Sequence, residues 1–295
     1  MKKFILTLII LSMLMGLVAC KPKEKEELKL GFVPLVDQDK LEDLTEPLTN
    51  ILTDKLGTKV SMFTSTNYVG VVEALGSGKV DFAIIPPFAY VLANKNGGAQ
   101  VLLSALNKDG KNYYRSELLV RKDSGIKEAY EKDGYEALKG KKIAFVDPES
   151  ASGYIYPGAM LVKGGLDLEK DIEYMFAGGH DKAVQMLLNG DVDVCATYEG
   201  AEKKLMKDFD GLEGLEVLEY TDKIPYVCVA ASKDLSDDMK KKIKEVFQND
   251  LSSGEGKEAC EKIFNLTGFV EATNDDFQNV IDTAKIMNVD LSKWY

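Results

Sequence analysis

The chain has 295 residues, with 48 acidic against 37 basic side chains, a single histidine and a formal net charge of −11. That balance excludes a nucleic-acid binder working through its general field, because phosphate backbones demand a basic patch. One histidine, no His/Asp cluster at metal spacing and no Gly-x-Ser-x-Gly turn argue against an exported metallohydrolase or serine esterase, and no cofactor or metal is implied.

The first element is a leader. Met1-Lys2-Lys3 precedes an apolar run from Phe4 to Val18, broken only by Thr7, Ser12 and Gly16. This is a charged segment followed by a hydrophobic one of signal-peptide length, shorter than the ~20 residues of a permanent span. It ends Leu17-Val18-Ala19-Cys20, which resembles a bacterial lipobox. Residues 1–19 are therefore expected to be removed and Cys20 to be lipidated, anchoring the protein to the cell membrane on its extracytoplasmic face. A plain signal peptide with an incidental cysteine is the alternative. Residues 20–27 hold no apolar side chain after Cys20 and read as a solvated tether. Loss of Lys2 and Lys3 leaves 35 basic against 48 acidic groups, or −13. Cys195, Cys228 and Cys260 match no zinc spacing and are expected to be buried free thiols.

The remaining ~270 residues suit two lobes better than one small core. In chain order, strands are predicted at Leu28–Val33, Lys59–Phe63, Val80–Ile85, Gln100–Ala105 and Ser116–Arg121. Helices are predicted at Leu41–Leu56, Val69–Leu75 and from Pro86-Pro87 to Ala93, proline being tolerated in a first helical turn. A second series has strands at Lys142–Val146, Ile172–Phe176, Val192–Ala196, Leu215–Tyr220 and Tyr226–Ala230. Its helices are Gly153–Gly164, Asp181–Asn189 and Gly200–Phe209. Three helices close the chain, near Asp237–Asn249, Gly256–Leu266 and Asp275–Met287. Strand–helix alternation predicts an α/β protein with mainly parallel sheets. If the closing helices return to the first lobe, residues 28–119 and 226–295 form one lobe and 120–225 the other. The chain then crosses near Leu118–Arg121 and Ile224–Val229, and two crossing strands make a hinge.

Two strand-to-helix turns could hold an anion. Asp147-Pro148-Glu149-Ser150-Ala151-Ser152-Gly153-Tyr154 follows one strand and opens a helix, whose unpaired N–H groups and dipole favour negative charge. The same serines also serve as ordinary helix caps. Thr64-Ser65-Thr66-Asn67-Tyr68 repeats the arrangement earlier, and Tyr90, just after another strand end, could reach the same mouth, since ligands of open α/β sheets sit beyond the strands' carboxyl ends. Loop and cap chemistry accounts for these segments equally well. His180 and Glu199 follow two further strands, and each reads alone as a solvent-exposed residue.

On these residues the chain resembles the phosphate/phosphite/phosphonate family of ABC-transporter substrate-binding proteins. The likeness rests on Gly31-Phe32-Val33-Pro34, Asn67-Tyr68-Val69-Gly70-Val71-Val72-Glu73-Ala74-Leu75, Val80-Asp81-Phe82-Ala83-Ile84-Ile85 and the stretch from Lys142 to Tyr154. Gly178-Gly179-His180-Asp181 and Gly190-Asp191-Val192-Asp193 complete it. It implies a two-lobed type 2 periplasmic-binding fold, with a phosphoryl group gripped by Tyr68, Tyr90, Ser150, Ser152, Gly153 and His180. It also implies Glu199 as partner for a ligand amine. Ala151 replaces a hydroxyl usual in the family, and Tyr226 replaces a small polar residue. Both changes leave room for an organophosphonate or a non-phosphorus ligand. The implied partners are the small anion, a permease and an ATPase, with no nucleic acid and a monomeric chain. The alternatives are the same fold on another solute, or a sensor or adhesion lipoprotein without transport, because fold does not fix function.

Overall fold

The computed structural model describes residues 25–32, 41–65, 68–205, 209–289 and 291, with backbone alone for 41–44 and Tyr68. The expected signal peptide, Cys20 and most of the tether lie outside the described residues, as do Thr66 and Asn67.

In chain order the elements are β1 (Glu27–Phe32), α1 (Leu41–Leu56), β2 (Lys59–Phe63), α2 (Tyr68–Gly76), β3 (Phe82–Ile85), α3 (Pro87–Gly97), β4 (Gln100–Leu106), β5 (Tyr113–Tyr114) and β6 (Ser116–Arg121). There follow α4 (Ile126–Asp133), β7 (Lys142–Phe145), α5 (Tyr156–Lys163), β8 (Glu173–Phe176), α6 (His180–Asn189), β9 (Val194–Tyr198) and α7 (Ala201–Leu205). The chain closes with β10 (Leu215–Tyr220), β11 (Ile224–Pro225), β12 (Cys228–Ala231), α8 (Asp237–Asn249), α9 (Gly254–Phe264), β13 (Gly268–Glu271) and α10 (Gln278–Ile286).

Two mixed sheets result. One has six strands in the order β13-β4-β12-β3-β1-β2, the other five in the order β10-β6-β9-β7-β8. Both are covered on each face, so their strands read as near-continuous apolar runs. Alternation within those runs assigns side chains to faces. Phe82 and Ile84 enter one core of the first sheet with Val229 and Ala231, while Ala83 and Ile85 enter the other with Cys228 and Ala230. In the second sheet Leu118, Val120 and Phe145 face one side, and Leu119, Ala144 and Cys195 the other. Cys195, Cys228 and Cys260 are buried and free, as expected.

The sheets are not mainly parallel. β1–β2, β1–β3, β7–β8 and β7–β9 are parallel pairs, but β6, β10, β12 and β13 all run antiparallel to their neighbours. β6 and β12 are the strands by which the chain enters each sheet from the other. β6 lies wholly in the second sheet, because its side chains fill both faces there, so the first crossing runs through residues 107–115, ahead of 118–121. In that crossing β5 pairs antiparallel with β11, Tyr114 opposite Ile224 and Tyr113 opposite Pro225. A proline is accommodated because a two-stranded ribbon is all edge.

Candidate functional site

The strands β2, β3, β7, β8 and β9 each deliver a candidate residue or segment at or beyond their carboxyl ends. The best-built of these follows β7. Ser150 is extended, and its Oγ accepts the Gly153 N–H at 2.9 Å. The helix does not start as a plain α-turn at Gly153, as the sequence suggests. Ala151–Ile155 winds as a π-turn, with Ile155 N–H on Ser150 C=O at 3.1 Å, before α5 continues. Such turns widen the helix start and recur at functional sites. Gly153 is required by space: a Cβ there would meet Val146 Cβ at 2.4 Å and Ser150 Oγ at 2.8 Å. The N–H groups of Ala151 and Ser152 precede the first helical acceptor and have no partner within the turn. Ser150, Ala151 and Ser152 are all buried.

This turn is stitched to the first crossing. Ser116 Oγ donates to Ser152 C=O at 2.6 Å and stands 2.9 Å from Thr197 C=O. Tyr114 packs against the apolar cluster that includes Ala151, and burial pushes its phenol far above its ordinary value, an effect the neighbouring Ser152 side chain opposes. The Tyr114 ring lies edge-on to Tyr226, centroids 5.5 Å apart. Tyr226 is half-buried and its phenol is likewise raised by burial.

His180 opens α6 at the end of β8. Its Nδ1 is 2.8 Å from Thr197 Oγ1, and its ring packs edge-on to Tyr198 at 4.8 Å. Desolvation holds its pKa at about 4 against the opposing charges of Asp181 and Asp147, so it is neutral at pH 7. Two acid pairs flank the turn. Glu149 is buried against Asp147, and burial followed by that hydrogen bond raises its pKa well above the carboxylate range. Glu117 accepts the Gly200 N–H at 2.9 Å and faces Glu202. Burial, then the Glu202 charge, raises it in the same direction.

The expected residues are thus partly united. Ser150, Ala151, Ser152 and Gly153 form one turn, joined through Ser116 and Thr197 to His180 and through Tyr114 to Tyr226. Tyr68 begins α2 after β2, and its side chain lies outside the described set. Two of the expected residues have other partners in this structure. Tyr90 is in the core of the first sheet, its hydroxyl bonded to Asn274 Oδ1 and 3.3 Å from Val101 N, its ring on Phe277 at 4.7 Å. Glu199 gives both carboxylate oxygens to Arg115, at 2.9 and 3.3 Å. Sequence reasoning missed Tyr114, Arg115, Ser116 and Thr197. Tyr114 and Arg115 lie at the crossing, where no apolar run marks a strand and the available signal was the aromatic pair Tyr113-Tyr114; Ser116 and Thr197 lie on β6 and β9, strands that the sequence showed without marking these residues as part of the site.

Comparison with known proteins agrees with this architecture. The family described as ABC transporter, phosphonate, periplasmic substrate-binding protein matches residues 30–277. The phosphate-import protein PhnD of Mycolicibacterium smegmatis is 33% identical over 274 residues, covering 86% of this chain and 84% of that protein. The phosphonates-binding periplasmic protein of Escherichia coli is 27% identical over 244 residues, 82% of this chain and 71% of the other. The structure of PhnD1 from Prochlorococcus marinus in complex with methylphosphonate superposes with a TM-score of 0.77 at 21% identity, covering 90% of this chain and 99% of that one. The aliphatic sulphonate binding protein SsuA of Escherichia coli follows with a TM-score of 0.56 at 17% identity, covering 90% and 76%. The fold is the type 2 periplasmic-binding fold expected from the sequence.

Proposed function

The chain belongs to the family of periplasmic substrate-binding proteins of ABC phosphonate transporters, and from that premise we propose that it captures a small tetrahedral oxyanion, a phosphonate ahead of phosphate or phosphite, for delivery to a permease and its ATPase. The six-stranded and five-stranded sheets are the cores of two lobes, and β5 with β11 is the hinge on which they close. The lobes correspond to residues 28 to about 115 with the chain from about 226, and to the segment between. Lipidation of Cys20 holds the protein at the extracytoplasmic face of the membrane. Among the described residues no helix is long and apolar enough to cross it.

One observation carries this reading: the buried turn Ser150–Gly153, in which the Ala151 and Ser152 N–H groups have no partner among the described residues, lies within a short hydrogen-bonded chain of a neutral histidine. An oxyanion needs donors, and here Ala151 N–H, Ser152 N–H and the Ser150 hydroxyl supply them. With the Thr197 hydroxyl donating to Nδ1, the His180 proton sits on Nε2 and that edge becomes a further donor. Tyr226 and Tyr114 form an aromatic wall that suits a small organic substituent on phosphorus. Ala151 supplies its N–H but no hydroxyl, so one side of the anion is left for a carbon substituent. The overall negative charge does not oppose this, because exposed charges beyond ~10 Å are screened. The protein is a binding component and its cleft performs no turnover.

A thermal-shift series with phosphate, phosphite, methylphosphonate and ethanesulfonate tests the ligand class. Saturation at 100 times the dissociation constant adds about 2.7 kcal/mol to stability. A raised midpoint with the phosphorus oxyanions, largest for methylphosphonate, is expected. A response to the sulfonate alone would instead favour a changed ligand.

A further inference from the structure

Arg115 stands between the two residues that reach the Ser150–Gly153 turn. Tyr114 packs against the apolar cluster that includes Ala151, and Ser116 Oγ bonds the Ser152 carbonyl, so residue 115 is flanked on both sides by contacts to that turn. Its side chain leaves toward Glu199. Nη2 meets Oε1 at 2.9 Å and Nε meets Oε2 at 3.3 Å, a two-point fork that uses both oxygens. The main chains are tied as well, Glu199 N–H donating to Arg115 C=O at 3.0 Å. The guanidinium also lies over the Tyr220 ring, 4.3 Å from its centroid, and Lys204 Nζ donates to the Glu199 carbonyl at 3.1 Å. Planar fork geometry with stacking is what arginine provides and lysine does not.

A ligand that carries an ammonium group needs a carboxylate with oxygens to spare. On the elements around the turn, Glu149 is hydrogen-bonded to Asp147, and Asp147 Oδ1 also accepts the Glu149 N–H at 2.9 Å. Glu117 is engaged by Gly200 and Glu202. Asp181 is exposed to solvent on the first turn of α6. Glu202 is buried, its Oε1 3.5 Å from Lys203 Nζ and its Oε2 without a hydrogen-bond partner among the described residues, whereas Glu199 is 43% exposed; Glu199 is thus the partly open candidate, and Arg115 and Lys204 surround it with positive charge. Resting on the reading of the cleft as an oxyanion site, we propose that Arg115 is a specificity-determining residue: by occupying Glu199 it closes the site to amine-bearing phosphonates and commits it to those whose substituent is uncharged.

The test is calorimetric titration of methylphosphonate and 2-aminoethylphosphonate into the wild-type chain, Arg115→Met, Arg115→Lys and the double variant Arg115→Met/Glu199→Gln. Arg115 is partly exposed, and methionine keeps an unbranched stem over Tyr220, so a folded variant is expected; a cooperative melting curve checks this. The wild type is expected to favour methylphosphonate by about tenfold or more, since a competing cation must displace a fork and meet like charge. Arg115→Met is expected to narrow that ratio by gaining affinity for the amine ligand, Arg115→Lys to narrow it less, and the double variant to restore it. Wild-type preference for 2-aminoethylphosphonate, an unchanged ratio in Arg115→Met, or a gain that persists without Glu199 overturns the proposal. Binding of neither ligand by folded protein overturns the oxyanion reading, and the role of Arg115 with it.

Discussion

His180 and the acid pairs shift stability with pH in opposite senses, and a resonance for the one and a substitution for the other separate their effects. His180 has a folded pKa of about 4 against an ordinary 6.5, so between those values the unfolded chain binds the extra proton and stability rises with pH. The C2 proton resonance of His180, the only histidine, is expected to titrate near pH 4 by NMR; a midpoint near 6.5 would place the ring in solvent. For Glu117 the folded pKa is raised above an ordinary 4.5, so the folded state binds more protons and stability falls as pH climbs from 4.5 through neutrality. Glu117→Gln keeps the shape without the charge. Its denaturant midpoint is expected to depend less on pH across that range than the wild type's, and an equal slope would contradict the buried pair. At this scale the sequence was a mixed guide. Ser150, Ser152 and His180 were legible because each follows an apolar strand, a local pattern. The occupation of Glu199 by Arg115 and the inward turn of Tyr90 were not, because both depend on partners far along the chain.

Elements set how closely the turn can be approached. Gly153 abuts Val146, and Gly97 abuts Gly76 so tightly that a Cβ on Gly97 would stand 2.1 Å from the Gly76 Cα. Gly97→Ala is therefore expected to cost about 1–3 kcal/mol by pushing α2 from α3, measured by urea unfolding, with ligand affinity little changed. Gly153→Ala is expected to cost as much and to weaken binding too, since it displaces the anion-facing turn. Equal, small effects from both would mean that the turn is not under packing constraint. Most strands and helices were predictable to within a few residues, their periodicity being local. β13 was missed because its four residues include only Phe269 and Val270 as large apolar side chains, and its pairing with β4 is an edge contact. β5 and β11 have two residues each and exist only as each other's partner. Strand direction was misjudged for the same reason: alternation of element types says nothing about the end from which a returning strand enters.

At the scale of the molecule, two sheets meet at a hinge, and the apolar core of the first sheet already includes Ala151, Ile155 and Tyr156 from beyond the second. The turn proposed to hold the anion is thus packed against the core of the first sheet, and under that proposal ligand affinity and closure draw on the same residues. On the proposed reading an oxyanion is held by this turn. Isothermal titration of methylphosphonate into the wild-type chain and into Ser150→Ala/Ser152→Ala tests it most directly. Hydrogen bonds to a charged group contribute about 1.5–3 kcal/mol each, so a loss of roughly tenfold or more in affinity is predicted, with the variant's melting curve still cooperative. Unchanged affinity in the double variant would contradict the account and send the ligand elsewhere in the fold.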